Sequence, residues 1–157
     1  MKNTDVFAIL HNIRSLYNVG SMFRTADAAG IEKIFLTGYT PAPVDVFGSS
    51  RREILKTALG AERAVPWEHA RDIGKLFDTL KRAGVRIIAL EQDARAINYK
   101  AFKPRYPLAL VVGNEVRGLS RSILNQCDAI IEIPMRGKKE SLNAAVAFGA
   151  AVYGIML

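Results

Sequence analysis

Ile131-Glu132-Ile133-Pro134-Met135-Arg136-Gly137-Lys138-Lys139-Glu140-Ser141-Leu142-Asn143 leads from an apolar strand into an alanine-rich segment, and its reading decides the fold. The strand, read from Ala129, ends at Ile133, because Pro134 has no N–H for a continuing ladder. The chain then turns, and Ser141 and Asn143 arrive at the start of an apolar helix spanning Leu142 to Met156. The first turn of a helix leaves backbone N–H groups free, so such a corner gathers polar groups where open α/β sheets bind ligands. The plain alternative for both residues is helix capping.

Working outward, Leu108 to Val112 is a second apolar strand, followed by Gly113-Asn114-Glu115-Val116-Arg117-Gly118-Leu119-Ser120 and a short helix from Ser120 to Gln126. Paired glycines after a strand suggest a phosphate-cradling loop, but that motif needs a lysine where Leu119 stands. Glu115 would also repel a triphosphate, and the dinucleotide fingerprint is absent from the chain. What remains is a backbone-lined pocket with one carboxylate, suited to a cationic or neutral ligand. The alternative is a tight turn with Glu115 exposed or capping.

Towards the start, Val6 to Leu10 fits a buried strand, and the polar loop His11 to Asn18 follows. Asn18 reads as the cap of a helix from Val19 to Ala29, with Met22, Phe23, Ala26 and Ala29 on one face and Gly30 at its end. Ile34 to Leu36 is a strand, Thr37 to Ser50 a long loop, Glu53 to Leu59 a short helix, and Ala70 to Ala83 a longer one. Val85 to Leu90 is a further strand, and Glu91 to Pro107 is irregular with a short element near Ile97. Strands of near-continuous Val, Ile and Leu alternating with helices define a single α/β domain over 1–157, a parallel sheet with helices on both faces. The last helix has no polar face and carries Gly149, Ala150 and Ala151, so it is expected to be buried all round, inside the domain or across a dimer.

Composition narrows the partners. A formal net charge of +7 and a pI near 9.8 favour a polyanion, most naturally nucleic acid. Asn12, Arg14, Asn18 and Arg24 offer groups suited to phosphate or ribose, and Arg51, Arg52, Arg136, Lys138 and Lys139 add basic clusters. Lys100, Lys103 and Arg105 alternate with Tyr99, Phe102 and Tyr106, a mixture compatible with single-stranded RNA or with a solvated rim. Arg24 has the simpler option of pairing with Asp27. Cys127 is the only cysteine; a reducing compartment such as the cytoplasm fits, and the residue reads as a small buried apolar group. His11 and His69 lack companion ligands at a metal spacing, so no metal is expected. The polar start from Met1 to Asp5 predicts no signal peptide, and Ala144 to Leu157 is too short to span a membrane.

Three segments together resemble one family. Asn18-Val19-Gly20-Ser21-Met22-Phe23-Arg24-Thr25-Ala26, Val111 to Ser120, and Ile133-Pro134-Met135 with Ser141-Leu142-Asn143 are similar, in order and spacing, to the motifs of the SpoU/TrmH RNA ribose methyltransferases of the SPOUT superfamily. The resemblance covers essentially the whole chain as a bare catalytic domain without an RNA-binding extension. It implies a C-terminal trefoil knot, a homodimer, and S-adenosylmethionine as methyl donor to a ribose 2′-hydroxyl of tRNA or rRNA. The donor loops it implies contain Leu90 and Glu91; Gly113, Asn114 and Gly118; and Ile133, Met135 and Leu142. The catalytic residues carried over are Asn18, Arg24, Glu115, Ser141 and Asn143, with RNA met by Asn12, Arg14, Arg24, Arg51, Arg52, Arg136 and Lys138. A guanidinium stays protonated and has no acceptor, so Arg24 is read as a clamp on the target phosphate and ribose, with a phosphate or water taking the proton. The competing reading is a catalytically silent RNA-binding or assembly protein on the same fold.

Overall fold

Val6–His11 and Leu108–Val112 bury side chains in alternation to both sides, as strands at the middle of a covered parallel sheet must. The computed structural model describes residues 1–2 and 4–156; Asn3 of the polar start and Leu157 of the last apolar segment lie outside them. The order is β1 (Val6–His11), α1 (Leu16–Ala29), β2 (Lys33–Thr37), α2 (Arg52–Ala58), α3 (Ala61–Ala64), β3 (Trp67–Ala70), α4 (Ile73–Arg82), β4 (Arg86–Leu90), β5 (Ile97–Asn98), β6 (Leu108–Val112), α5 (Arg121–Gln126), β7 (Ala129–Glu132) and α6 (Ala144–Met156). The strands form one sheet in the order β3-β2-β1-β6-β4-β7-β5. Every pairing is parallel, with Ile9 opposite both Phe35 and Val111.

Period-two alternation sorts the core into two layers. Val6, Ala8 and Leu10 join Leu108, Leu110 and Val112 beneath α1, α2 and α6, where Met22, Phe23, Ile54, Phe148 and Val152 are fully buried. Phe7, Ile9, Ala109 and Val111 face α4 and α5, meeting Leu76, Phe77, Leu80, Ile123 and Leu124. Each Val, Leu, Ile, Phe or Met among them contributes about 1.5–3 kcal/mol of transfer free energy. Gly20 lets α1 touch α2: a Cβ there would lie 2.2 Å from the Ile54 carbonyl oxygen.

Several sequence expectations change. Helix α1 starts one turn earlier than read, with Ser15 as its cap, its side chain accepting from the Asn18 N–H at 3.2 Å. Asn18 therefore sits in the first turn with its side chain free for other work. Trp67–Ala70 is an edge strand hidden by its polar Glu68 and His69, and the helix read from Ala70 begins at Ile73 behind the Asp72 cap. Tyr99, Phe102 and Tyr106 are half-buried and pack against the core rather than standing out as a solvated rim. The Tyr106 hydroxyl donates to the Ile155 carbonyl at 2.7 Å, and a Cβ on Gly154 would meet the Tyr99 ring at 2.6 Å. Helix α6 is not buried all round in this chain: Val146 is 57% and Tyr153 42% exposed. Among the described residues, no helix is long and apolar enough to cross a membrane.

Candidate functional site

A parallel sheet delivers the C-terminal ends of all its strands to one edge, so the loops after β4, β6 and β7 converge there. Between them lies a cleft of about 320 Å³. Leu90 and Glu91 wall it from the first loop, Gly113, Asn114 and Gly118 from the second, and Ile133, Met135 and Leu142 from the third. Glu115 and Ser141 also line it. Gln92, Val116, Glu132 and Glu140, which sequence reasoning passed over, complete much of the remaining wall. Among the described residues, four carboxylates and no lysine or arginine line this cleft. Such a lining disfavours phosphates and suits a ligand carrying positive charge.

The second loop is held by hydrogen bonds throughout. The buried Asn114 accepts from the Val116 and Arg117 N–H groups at 2.9 and 2.8 Å. Its amide donates to the Asn12 carbonyl at 3.1 Å and the Tyr39 hydroxyl at 2.9 Å. Glu91 accepts from the Leu119 N–H at 2.9 Å, crossing from the first loop. Gly118 has φ +64, and a Cβ there would lie 2.2 Å from Glu91 Oε2. Gly113 is constrained by space alone, since its Cβ would fall 2.7 Å from Leu119.

Glu115 turns towards α1. It accepts from the Arg14 and Ser15 N–H groups, each at 3.1 Å, and from Asn18 Nδ2 at 3.3 Å. Burial pushes its carboxyl up, but these donors more than reverse that and hold it below the ordinary value. Asn18 Oδ1 in turn accepts from Asn143 Nδ2 at 3.2 Å. Asn143 Oδ1 accepts from the Ala145 and Val146 N–H groups at the start of α6. A continuous relay thus runs Glu115–Asn18–Asn143, and of the residues read as helix caps only Asn143 combines capping with a place in the relay.

Arg24 stands apart from this group. It is exposed on α1, does not line the cleft, and forms no pair with Asp27 among the described residues. Arg14, Arg52, Arg136 and Lys138 are exposed and Arg51 half-buried, again without ion pairs among the described residues. Asn12, at φ +54, is committed to holding the loop after β2, with Oδ1 accepting from the Tyr39 N–H at 3.1 Å. Half-buried His11 is 2.8 Å from the Thr37 hydroxyl, and burial pushes its imidazole pKa down. Burial drives the Cys127 thiol up to about 11, which makes it a poor nucleophile. Among the described residues no cluster of His, Cys, Asp and Glu is placed to hold a metal ion.

Comparison with known proteins agrees with this geometry. The model of the SpoU rRNA Methylase family matches residues 5–153, and the chain belongs to that family. A putative TrmH family tRNA/rRNA methyltransferase of Staphylococcus haemolyticus is 33% identical over 147 residues, covering 94% of this chain and 56% of its own length. The YacO protein of Bacillus subtilis, of the same description, is 30% identical over 149 residues, covering 95% and 57%. The chain thus spans just over half the length of these relatives. Among solved structures, the AdoMet-bound rRNA methyltransferase of Sinorhizobium meliloti superposes with a TM-score of 0.84 at 29% identity, covering 98% of this chain and 56% of that one. A structure described as giving insight into 2-OH methylation of C/U34 on tRNA has a TM-score of 0.79 at 28% identity, covering 94% and 91%.

Proposed function

We propose that this chain is an S-adenosylmethionine-dependent methyltransferase acting on a ribose 2′-hydroxyl of tRNA or rRNA. The observation that carries the reading is the cleft at the strand ends, walled by three loops and lined by carboxylates without a cationic side chain. The donor fits that lining, since its sulfonium and ammonium charges outnumber its one carboxylate. Family membership and the AdoMet-bound Sinorhizobium relative support the same choice. The C/U34 relative, similar to this chain over most of its own length, favours ribose as the acceptor. When bound, the donor supplies an electrophilic methyl group.

This chain's residues bind, orient and exclude water. Gly113 and Gly118 keep the second loop close to Leu119 and Glu91, and Leu90, Ile133 and Leu142 supply apolar walls. Ser141 places a hydroxyl in the cleft, and the Glu115–Asn18–Asn143 relay locks the three motifs in one arrangement. Orientation of this kind lowers barriers by about 7–11 kcal/mol in well-aligned systems. Arg24, exposed on α1 and without an ion pair among the described residues, clamps the phosphate and ribose of the target, while an RNA phosphate or water receives the hydroxyl proton. Because Arg24 does not line its own cleft, the clamp calls for a second copy. The open stripe of α6, Val146, Ala150 and Tyr153, is the surface proposed for that homodimer. The proposed trefoil threading, with α6 drawn under the 91–107 segment, is supported by the contacts of Tyr99 and Tyr106.

The test is methylation of total RNA from a strain lacking the gene, with mass-spectrometric mapping of the mark. A 2′-O-methyl nucleoside is expected, and Arg24→Ala is expected to abolish it while calorimetry shows donor binding intact. Donor binding without any RNA product would instead favour the silent RNA-binding reading.

A further inference from the structure

The loop from Thr37 to Ser50 ends in an apolar tip that the core does not use. Val46 is 90% and Phe47 89% exposed, among the most exposed apolar side chains described. The tip is nevertheless built. Asp45 Oδ1 accepts from the Phe47 and Ser49 N–H groups at 2.8 and 2.9 Å, and the Asp45 N–H donates to the Ser49 carbonyl at 2.8 Å. The Gly48 N–H donates to the Asp45 carbonyl at 3.0 Å, and the Arg51 N–H to the Pro43 carbonyl at 2.9 Å, closing the base. A turn fixed in this way has little backbone freedom left to lose when something stacks on the phenyl ring it carries.

Three observations say what that is. The loop leaves β2 at the same sheet edge as the cleft, and its foot is fixed to the cleft wall through Tyr39 and Asn114. Half-buried Arg51 and exposed Arg52 follow the tip after Gly48, Ser49 and Ser50 and form no ion pair among the described residues. The chain as a whole carries a formal charge of +7. An aromatic face backed by unpaired guanidinium groups is the pairing that grips an unpaired nucleotide, the ring taking the base and the cations the phosphate.

We propose that Phe47 is a stacking platform for an unpaired base of the RNA substrate, with Arg51 and Arg52 holding the adjoining phosphates. The inference rests on the RNA-methyltransferase reading and adds a substrate-recognition element outside the donor cleft. The base on Phe47 lies outside the donor cleft, since the ring does not line it.

Equilibrium binding of bulk tRNA, and of a single-stranded oligonucleotide carrying 2-aminopurine, tests the proposal on the full chain. Phe47→Ala is expected to weaken tRNA binding roughly tenfold and to remove the stacking-induced quench of 2-aminopurine emission. Phe47→Trp should keep both, and Phe47→Leu, with apolar bulk but no ring, should behave like the alanine variant. S-adenosylmethionine affinity and sedimentation coefficient should match the wild type in all three. Unchanged tRNA binding by Phe47→Ala overturns the proposal. So does a Phe47→Ala protein that loses self-association, which would make the tip a contact between copies. A wild-type protein that binds and quenches RNA but transfers no methyl group would overturn the activity reading and leave this one standing.

Discussion

The loop after β6 and the loop after β7 wall the same cleft, yet they are made differently. Between Gly113 and Leu119, Asn114 alone makes four side-chain hydrogen bonds, and Glu91 and Glu115 anchor either side. Between Ile133 and Leu142 the one hydrogen bond among the described residues is Gln92 Nε2 donating to the Glu140 carbonyl at 2.8 Å. Arg136 to Leu142 is exposed throughout. One wall is complete before any ligand arrives, and the other keeps its polar groups in water, available for exchange with a ligand. The rigid wall sets position, and the open wall supplies contacts.

Substitutions that break the finished wall should have the largest effect. Gly118→Ala introduces a Cβ 2.2 Å from Glu91 Oε2 at a positive φ. Strain of this kind costs about 1–3 kcal/mol, and relief requires moving the Glu91 bond to the Leu119 N–H. Urea unfolding should register that loss, and calorimetry should show S-adenosylmethionine binding reduced beyond detection. A Gly118→Ala protein of wild-type stability and affinity would show that the wall is not rigid.

Asn114→Ala comes next. It leaves the Val116 and Arg117 N–H groups and the Asn12 carbonyl without their partner, at about 1–3 kcal/mol for groups cut off from water. Asn114→Asp sharpens the comparison, because it keeps the acceptor and loses the donor. It should therefore fall between wild type and alanine in thermal unfolding.

Glu115 contributes through its charge. Its folded pKa lies below the ordinary value of 4.5, so its stabilisation is fully present above that value and is lost as pH falls through the lower folded one. Glu115→Gln should be less stable than wild type at neutral pH by about 0.5–2 kcal/mol, as for loss of a helix cap. The gap between the two urea midpoints should hold steady down to about pH 5 and narrow below it. A gap independent of pH down to 3 would mean that shape, not charge, ties the loop to α1.

The same contrast explains what could be read beforehand. Leu108–Val112 was legible because five consecutive apolar residues bounded by Pro107 and Gly113 leave little choice. Trp67–Ala70 was not, since an edge strand with two polar residues has no apolar period to detect. The start of α1 was missed because Ser15 and Asn18 are both good caps, and the choice depends on Glu115 arriving from far along the chain. The residues of the three loops were found through the resemblance, whereas Tyr39 reaches the site only by a tertiary contact that leaves no local signature, and Gln92, next to Glu91, matters through its bond to the Glu140 carbonyl. Tyr99 shows the converse, because an aromatic beside Lys100 leaves both RNA contact and a solvated rim open until Gly154 is found beneath it.

Ser141 gives the smallest expected change in stability and the cleanest separation of the two walls. It lines the cleft, is exposed, and makes no hydrogen bond among the described residues. Ser141→Ala should shift folding free energy by no more than about 0.5 kcal/mol, the usual scale for a surface change. Loss of a hydroxyl used on a bound reactant should nevertheless lower methyl incorporation into RNA at saturating donor by roughly tenfold, equivalent to about 1.4 kcal/mol. If thermal unfolding instead drops as far as in Asn114→Ala, the third loop is as much a fixed structure as the second. If stability and turnover both stay at wild-type levels, Ser141 is a bystander at the rim, and the open wall acts through its backbone alone.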